Sequence, residues 1–209
     1  MIEGTEPDER LRPHLAALAE RDADIAEAYA ACGLPPVRRR APDFGGLVRT
    51  IAAQQVSASA ARAIIGRLES ALTAVDPAHV AELDTETARH IGLSRQKLAY
   101  IRGIAQTVQR GELDFAQLAE ADDESVMAQL TALKGVGRWT AESFLLFALE
   151  RPDVLPAQDL ALQMAAKRLK GLAERPSAVA LREIARPWQP YRSAASRFLW
   201  HIYRHPGAP

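Results

Sequence analysis

Residues 133–142 read Leu133-Lys134-Gly135-Val136-Gly137-Arg138-Trp139-Thr140-Ala141-Glu142, and Asp159 follows 22 residues beyond Gly137. Two glycines around one small apolar residue, set between two helical runs, predict a tight turn with outward-pointing amides. Amides beside a helix N-terminus bind anions, because unpaired donors and the helix dipole act together. Lys134 and Arg138 flank the turn and can add their charges to a bound phosphate. Leu133 and Val136 can plug the turn into its helices, and Thr140-Ala141 keeps the second helix thin. Asp159 precedes Leu160-Ala161-Leu162-Gln163 and so reads as a helix N-cap. A carboxylate there stays ionised and can face a developing cation. Asp153 lies in the loop after Pro152, without a helix to aim it.

These residues must be held by helices. Almost every segment carries apolar residues at helical spacing, none alternates convincingly with period two, and the expected fold class is all-α. Asp122 or Asp123 caps a first hairpin helix with Val126, Leu130 and Leu133 on one face; the second runs from about Trp139 to Leu149. Arg151-Pro152 stops it, and the hairpin motif occupies about 122–149. Asp76-Pro77 and Ser94 read as caps, the latter opening a helix over Arg95–Gln109. Phe44–Gln54 and Ser57–Leu72 are consecutive helices, and Tyr191–Tyr203 is the last one.

Composition narrows the classes. The chain has 209 residues, 48% apolar and 25% charged, enough for a substantial core. Its single cysteine, Cys32, excludes an internal disulfide and any four-cysteine cluster. The histidines (His14, His79, His90, His201, His205) lack metal-ligand spacing, so no metal held by side chains is expected. The apolar run Ser143–Leu149 is too short to cross a bilayer, and nothing resembles a signal peptide; a cytoplasmic protein without membrane partners is expected. Formal net charge is +0, but residues 1–30 hold eight acids against three arginines while residues 134–209 hold twelve Lys/Arg against six acids. The half with the hairpin is therefore basic, which permits nucleic-acid binding. Residues 1–34 read as an acidic helical segment packed on the core of a single domain spanning 1–209.

Two further segments carry polar or aromatic groups. Ile51-Ala52-Ala53-Gln54-Gln55-Val56-Ser57 sets paired glutamines at the end of a small, apolar helix. They are either a solvated helix end or a polar wedge that fills a gap in a base stack. Trp139 opens the second hairpin helix, and Trp188 and Tyr191 sit at a proline-bounded turn, where rings can line a pocket for an extruded base. Phe198 and Trp200 read as core.

Together these segments resemble the helix-hairpin-helix DNA glycosylase superfamily, in particular its bacterial 3-methyladenine DNA glycosylase II branch. The resemblance rests on Phe44-Gly45-Gly46-Leu47 with Ile51–Ser57, Gly92-Leu93-Ser94 with Lys97, the hairpin Leu133–Ala141, Leu155–Leu162, and Trp188–Ser193, in family order. It implies two helical lobes around an active-site cleft and base-excision repair of double-stranded DNA carrying damaged bases. The enzyme would be a nucleoid-associated monomer. By position, Asp159 is the implied catalytic aspartate. The DNA-backbone contact is Leu133, Gly135, Val136, Gly137, Arg138 and Thr140. Gln55 is the wedge, or Gln54 if the register slips by one, and Trp139, Tyr191 and Trp188 belong to the base pocket. The family further implies no cofactor beyond Na+ or K+ at the hairpin carbonyls when DNA is bound. Bifunctional members place a lysine at the start of the second hairpin helix, where this chain has Trp139. Larger members add an N-terminal β-rich domain, for which the roughly forty residues before the match are too few. The expected activity is thus monofunctional hydrolysis of the N-glycosidic bond of alkylated purines such as 3-methyladenine or 7-methylguanine. A glycosylase for oxidised or deaminated bases and a non-catalytic hairpin module are the alternatives.

Overall fold

The computed structural model describes residues 2–205, and nearly all of their regular structure is helical. The chain divides into two compact units, one made of Arg40–Phe144 and the other of Ile2–Arg39 with the chain from Leu145 onward.

The second unit opens with strand β1 (Ile2–Pro7), followed by α1 (Arg12–Ala19), α2 (Ala23–Cys32) and strand β2 (Pro36–Arg39). The two strands pair antiparallel, Ile2 opposite Arg39 and Pro7 opposite Pro36, with an irregularity between. Helices α1 and α2 are the two runs expected in the acidic helical segment 1–34, and the strand over Ile2–Pro7 is an addition to it. Glu3-Gly4-Thr5-Glu6 has no apolar alternation to announce a strand. Proline is tolerated in both strands because each strand of a two-stranded sheet is an edge.

The first unit contains α3 (Phe44–Ala52), α4 (Ala58–Ala71), α5 (Pro77–Glu82), α6 (Thr85–Ile91), α7 (Arg95–Gln109), α8 (Phe115–Glu120) and α9 (Asp123–Ala132). Each starts at a side-chain cap: Asp43, Ser57, Asp76, Asp84, Ser94, Asp114 and Asp122 accept hydrogen bonds from amides of their first turns. Such caps stabilise a helix by about 1 kcal/mol each. Leu47, Val48, Ile51, Leu68, Val80, Ile101, Ile104, Leu118, Val126, Leu130 and Phe144 form the buried core, with Phe115 tilted against Phe144 at 5.9 Å.

Helix α10 (Arg138–Phe147) begins in the first unit, and its last turn belongs to the second. Helices α11 (Leu160–Leu169), α12 (Ala178–Ile184) and α13 (Arg192–Arg204) complete the second unit. There α11 packs on α13 and α2, and α1 on α2 and α13. Leu15, Leu18, Ile25, Leu162, Ala166, Phe198 and Ile202 fill that core. No helix of the described residues is long and apolar enough to cross a membrane.

Candidate functional site

In the first unit the chemistry centres on the turn between α9 and α10. Gly135 has φ +91°, and a Cβ built there would overlap the ring of Tyr100, so only glycine fits. Val136 is buried and its amide donates to the Leu133 carbonyl at 3.0 Å, which closes the turn. Leu133 is half-buried. The Gly137 carbonyl accepts from the Thr140 and Ala141 amides and starts α10. Thr140 and Ala141 are buried. The amides of Gly135 and Gly137 have no hydrogen-bond partner among the described residues, and Gly137 is exposed with open space where a Cβ would project. Two amides without a protein acceptor therefore lie just before a helix, the arrangement that binds an anion. Lys134 is exposed, whereas the Arg138 Nε is held by the buried Glu142 carboxylate at 2.8 Å.

The glutamine pair separates into two roles. Gln54 is half-buried, and its Nε2 donates to the Gly135 carbonyl at 3.1 Å and to Thr140 Oγ1 at 3.0 Å. Gln55 is exposed at φ +54°, a left-handed conformation that costs a non-glycine residue about 1 kcal/mol or more. The Lys97 ammonium, from α7, donates to the carbonyls of Ala52 and Gln54, each at 2.8 Å. Burial pushes its pKa below the usual lysine value. A groove of about 680 Å³ runs past Gln54, Gln55, Lys97, Tyr100, Lys134 and Gly137. Sequence reading found the glutamines but missed the brace that Gln54 makes, since its partners lie 81 and 86 residues away.

In the second unit Asp159 caps α11, its Oδ1 accepting from the Leu162 amide at 3.0 Å. The same oxygen accepts from the indole N–H of Trp200 at 3.1 Å. Trp200 leans on Phe147, ring centroids 5.4 Å apart, and so fixes the carboxylate from α13. The loop before Asp159 is hung on α13 as well: the Val154 amide donates to Ser193 Oγ, and Ser196 Oγ donates to the Val154 carbonyl. Gln163, buried on α11, donates to the Ala157 carbonyl at 2.7 Å and receives a hydrogen bond from Arg175. Trp200 is thus the Asp159 partner that a core reading of its sequence position overlooks.

Asp153 has a different fate. Burial would raise its pKa, but a two-pronged contact from Arg192, 2.8 Å on each prong, together with the Arg192 amide, holds it below the ordinary carboxylate value.

The three rings assigned to a base pocket diverge. Trp139 stands in the first turn of α10, 36% exposed. Tyr191 is half-buried, stacked on His14 at 5.3 Å, with the Arg21 guanidinium 5.1 Å from its ring centroid. Trp188 is a correction: it is fully buried, and its indole N–H donates to Asp22 at 2.7 Å. Asp22, half-buried like Lys170, also receives the Lys170 ammonium at 2.6 Å, so the buried Trp188 is committed to a polar cluster of the second unit and shows no face to a ligand. Among the described residues no three His, Cys, Asp or Glu side chains gather as a metal site.

Comparison with known proteins meets this geometry. The alkylbase DNA glycosidase-like protein mag2 of Schizosaccharomyces pombe is 29% identical over 198 residues, 92% of this chain and 92% of its own. DNA-3-methyladenine glycosylase 1 of the same organism is 33% identical over 158 residues, 74% of this chain and 69% of its own. Among solved structures, the S. pombe 3-methyladenine DNA glycosylase in complex with abasic DNA superposes with a TM-score of 0.84 at 28% identity, over 94% of this chain and 98% of that one. The family model of the HhH-GPD superfamily of base excision DNA repair proteins matches residues 48–190, a span that holds the glutamine pair, the hairpin and Asp159, and the chain belongs to that superfamily.

Proposed function

We propose that this chain is a monofunctional base-excision DNA glycosylase that hydrolyses the N-glycosidic bond of alkylated purines. The observation that carries the reading is Asp159, held at a helix N-terminus by its own cap bond and by the Trp200 indole, in a chain of this superfamily. The unpartnered amides of Gly135 and Gly137 receive a DNA phosphate, and Lys134 adds charge. Gln55, exposed on its strained turn, enters the base stack as the damaged nucleotide rotates out; Gln54, committed to the hairpin, does not. Trp139 offers its ring to the extruded base, whose positive charge an aromatic face attracts.

Alkylation at N3 or N7 makes the purine cationic and weakens its bond to the sugar. As that bond breaks, its electron pair returns to the purine, which leaves neutral, and positive charge moves to the sugar. The Asp159 carboxylate stabilises this oxocarbenium-like sugar, water adds to C1′, and its proton passes to solvent. Trp139 in place of a lysine leaves no amine at the start of α10 to form a Schiff base with the sugar. The turn carbonyls supply the donor set for a Na+ or K+ ion. Those of Leu133 and Gly135 already accept one hydrogen bond each, so they would hold it as shared acceptors, and no step passes through the ion. The protein acts as a monomer, and its substrate places it with the nucleoid in the cytoplasm.

Methylated duplex DNA tests this. Wild type should release methylpurines and leave strands intact until alkali, with no adduct trapped by borohydride. Asp159→Asn should lower release by about 100-fold or more while keeping DNA affinity. Release by the variant at the wild-type rate would remove Asp159 from the mechanism, and a borohydride adduct would identify a lyase.

A further inference from the structure

Three contacts in the first unit converge on the loop after α3. Gln54 ties it to the hairpin through Gly135 and Thr140. Lys97 ties its backbone to α7 through the carbonyls of Ala52 and Gln54. Tyr100, one turn further along α7, packs where only a glycine at position 135 leaves room. The loop, the hairpin turn and the start of α7 are thus stitched together by side chains, and Gln55 projects from the stitched segment in a left-handed conformation. A loop held only by its ends would relax Gln55 out of that conformation.

We infer that Gln54 is a positioning residue, with Lys97 supporting it: the brace sets the spacing between the hairpin's phosphate-binding amides and the wedge Gln55. It thereby selects which nucleotide, counted from the clamped phosphate, is pushed out of the stack. This inference rests on the proposed glycosylase reading. In it, phosphate binding and wedge insertion are one event, because the same glutamine that bonds the turn carbonyl holds the wedge in register. Gln54 touches neither the base nor the sugar; it acts through Gln55.

The test uses the full chain and a duplex with a tetrahydrofuran abasic analogue beside 2-aminopurine, whose fluorescence rises when its stack is opened. Binding to undamaged duplex, followed by fluorescence anisotropy, reports phosphate contact separately. Gln54→Ala should reduce the 2-aminopurine rise at saturating protein by at least about fivefold. Its affinity for undamaged duplex should stay within about twofold of wild type. Lys97→Met, on the opposite side of the loop, should give the same pattern. In a Gln55→Ala background Gln54→Ala should add no further loss, which a merely structural role would not produce. A 2-aminopurine rise unchanged in Gln54→Ala, an equal loss on undamaged DNA, or losses that add with Gln55→Ala would each overturn the inference while leaving the glycosylase reading intact. A bound wild type that gives no rise on the abasic duplex would overturn the base-flipping reading and the inference with it.

Discussion

Gly135 and Gly137 look alike in the sequence, yet the structure predicts opposite consequences for replacing each by alanine. At Gly135 the alanine would sit at φ +91°, costing roughly 1–2 kcal/mol for the left-handed backbone. Its Cβ would also overlap the Tyr100 ring, and such overpacking adds about 1–3 kcal/mol. Removing glycine's freedom from the unfolded chain returns about 0.4–1 kcal/mol. The net is a destabilisation of about 2–4 kcal/mol, or a fall in the urea midpoint of roughly 1–2 M for a slope near 2 kcal/mol/M. At Gly137 neither penalty applies, since its backbone is ordinary and a Cβ would meet nothing. Stability should hold or rise by a few tenths of a kcal/mol. The same methyl would instead stand where a phosphate approaches the turn. Duplex affinity should fall about tenfold, with the slope of log K against log salt smaller by about 0.9 if one phosphate contact is lost. Urea unfolding and salt-titrated anisotropy on the two variants decide the matter. The reasoning fails if Gly137→Ala unfolds as readily as Gly135→Ala, or if it is folded and binds DNA like wild type.

Other outcomes follow from named contacts. Trp200→Phe keeps a ring against Phe147 but deletes the donor to Asp159; single-turnover base release should fall about tenfold while stability changes by about 1 kcal/mol. Asp22→Ala removes the cap of α2 and leaves the Trp188 indole without its acceptor, while Lys170 keeps Asp24, so urea unfolding should show a loss of about 2 kcal/mol, with Asp22→Asn milder. The pKa of Asp153 is lowered in the folded state, so its contribution is present above the unfolded carboxylate value and lost as pH falls through the folded one. Asp153→Asn should therefore be less stable than wild type by about 1 kcal/mol at neutral pH, and the gap should close in acid as Asp153 becomes protonated, as measured by unfolding across an acid pH series.

Helix starts were the most legible part of the chain. Asp76, Ser94, Asp122 and Asp159 each announce a helix because the bond they make is to an amide three residues away. The hairpin turn was legible for the same reason. Contacts closed over long separations were not. Trp188 looks like a pocket ring from its proline-bounded turn, yet its partner Asp22 is 166 positions distant. Trp200 looks like core and is core, but its one polar atom reaches Asp159 across 41 residues. The strand pair escaped notice because its residues carry no alternating apolar face; the ladder is held by backbone bonds, to which every residue can bring an acceptor and every residue but proline a donor.

The division of the second unit between Ile2–Arg39 and the chain from Leu145 sets an order of events during synthesis. Arg40–Phe144 emerges from the ribosome as one uninterrupted piece, all of its unit's partners present together. Helices α1 and α2 must wait. Asp22 meets Lys170 148 residues later, and Asp8 meets Arg197 189 residues later. At the usual rates of elongation that is an interval of roughly 10–40 s with an apolar face uncovered. With eight acids against three arginines, residues 1–30 carry a net negative charge through that interval, and like charge disfavours association of one waiting segment with another.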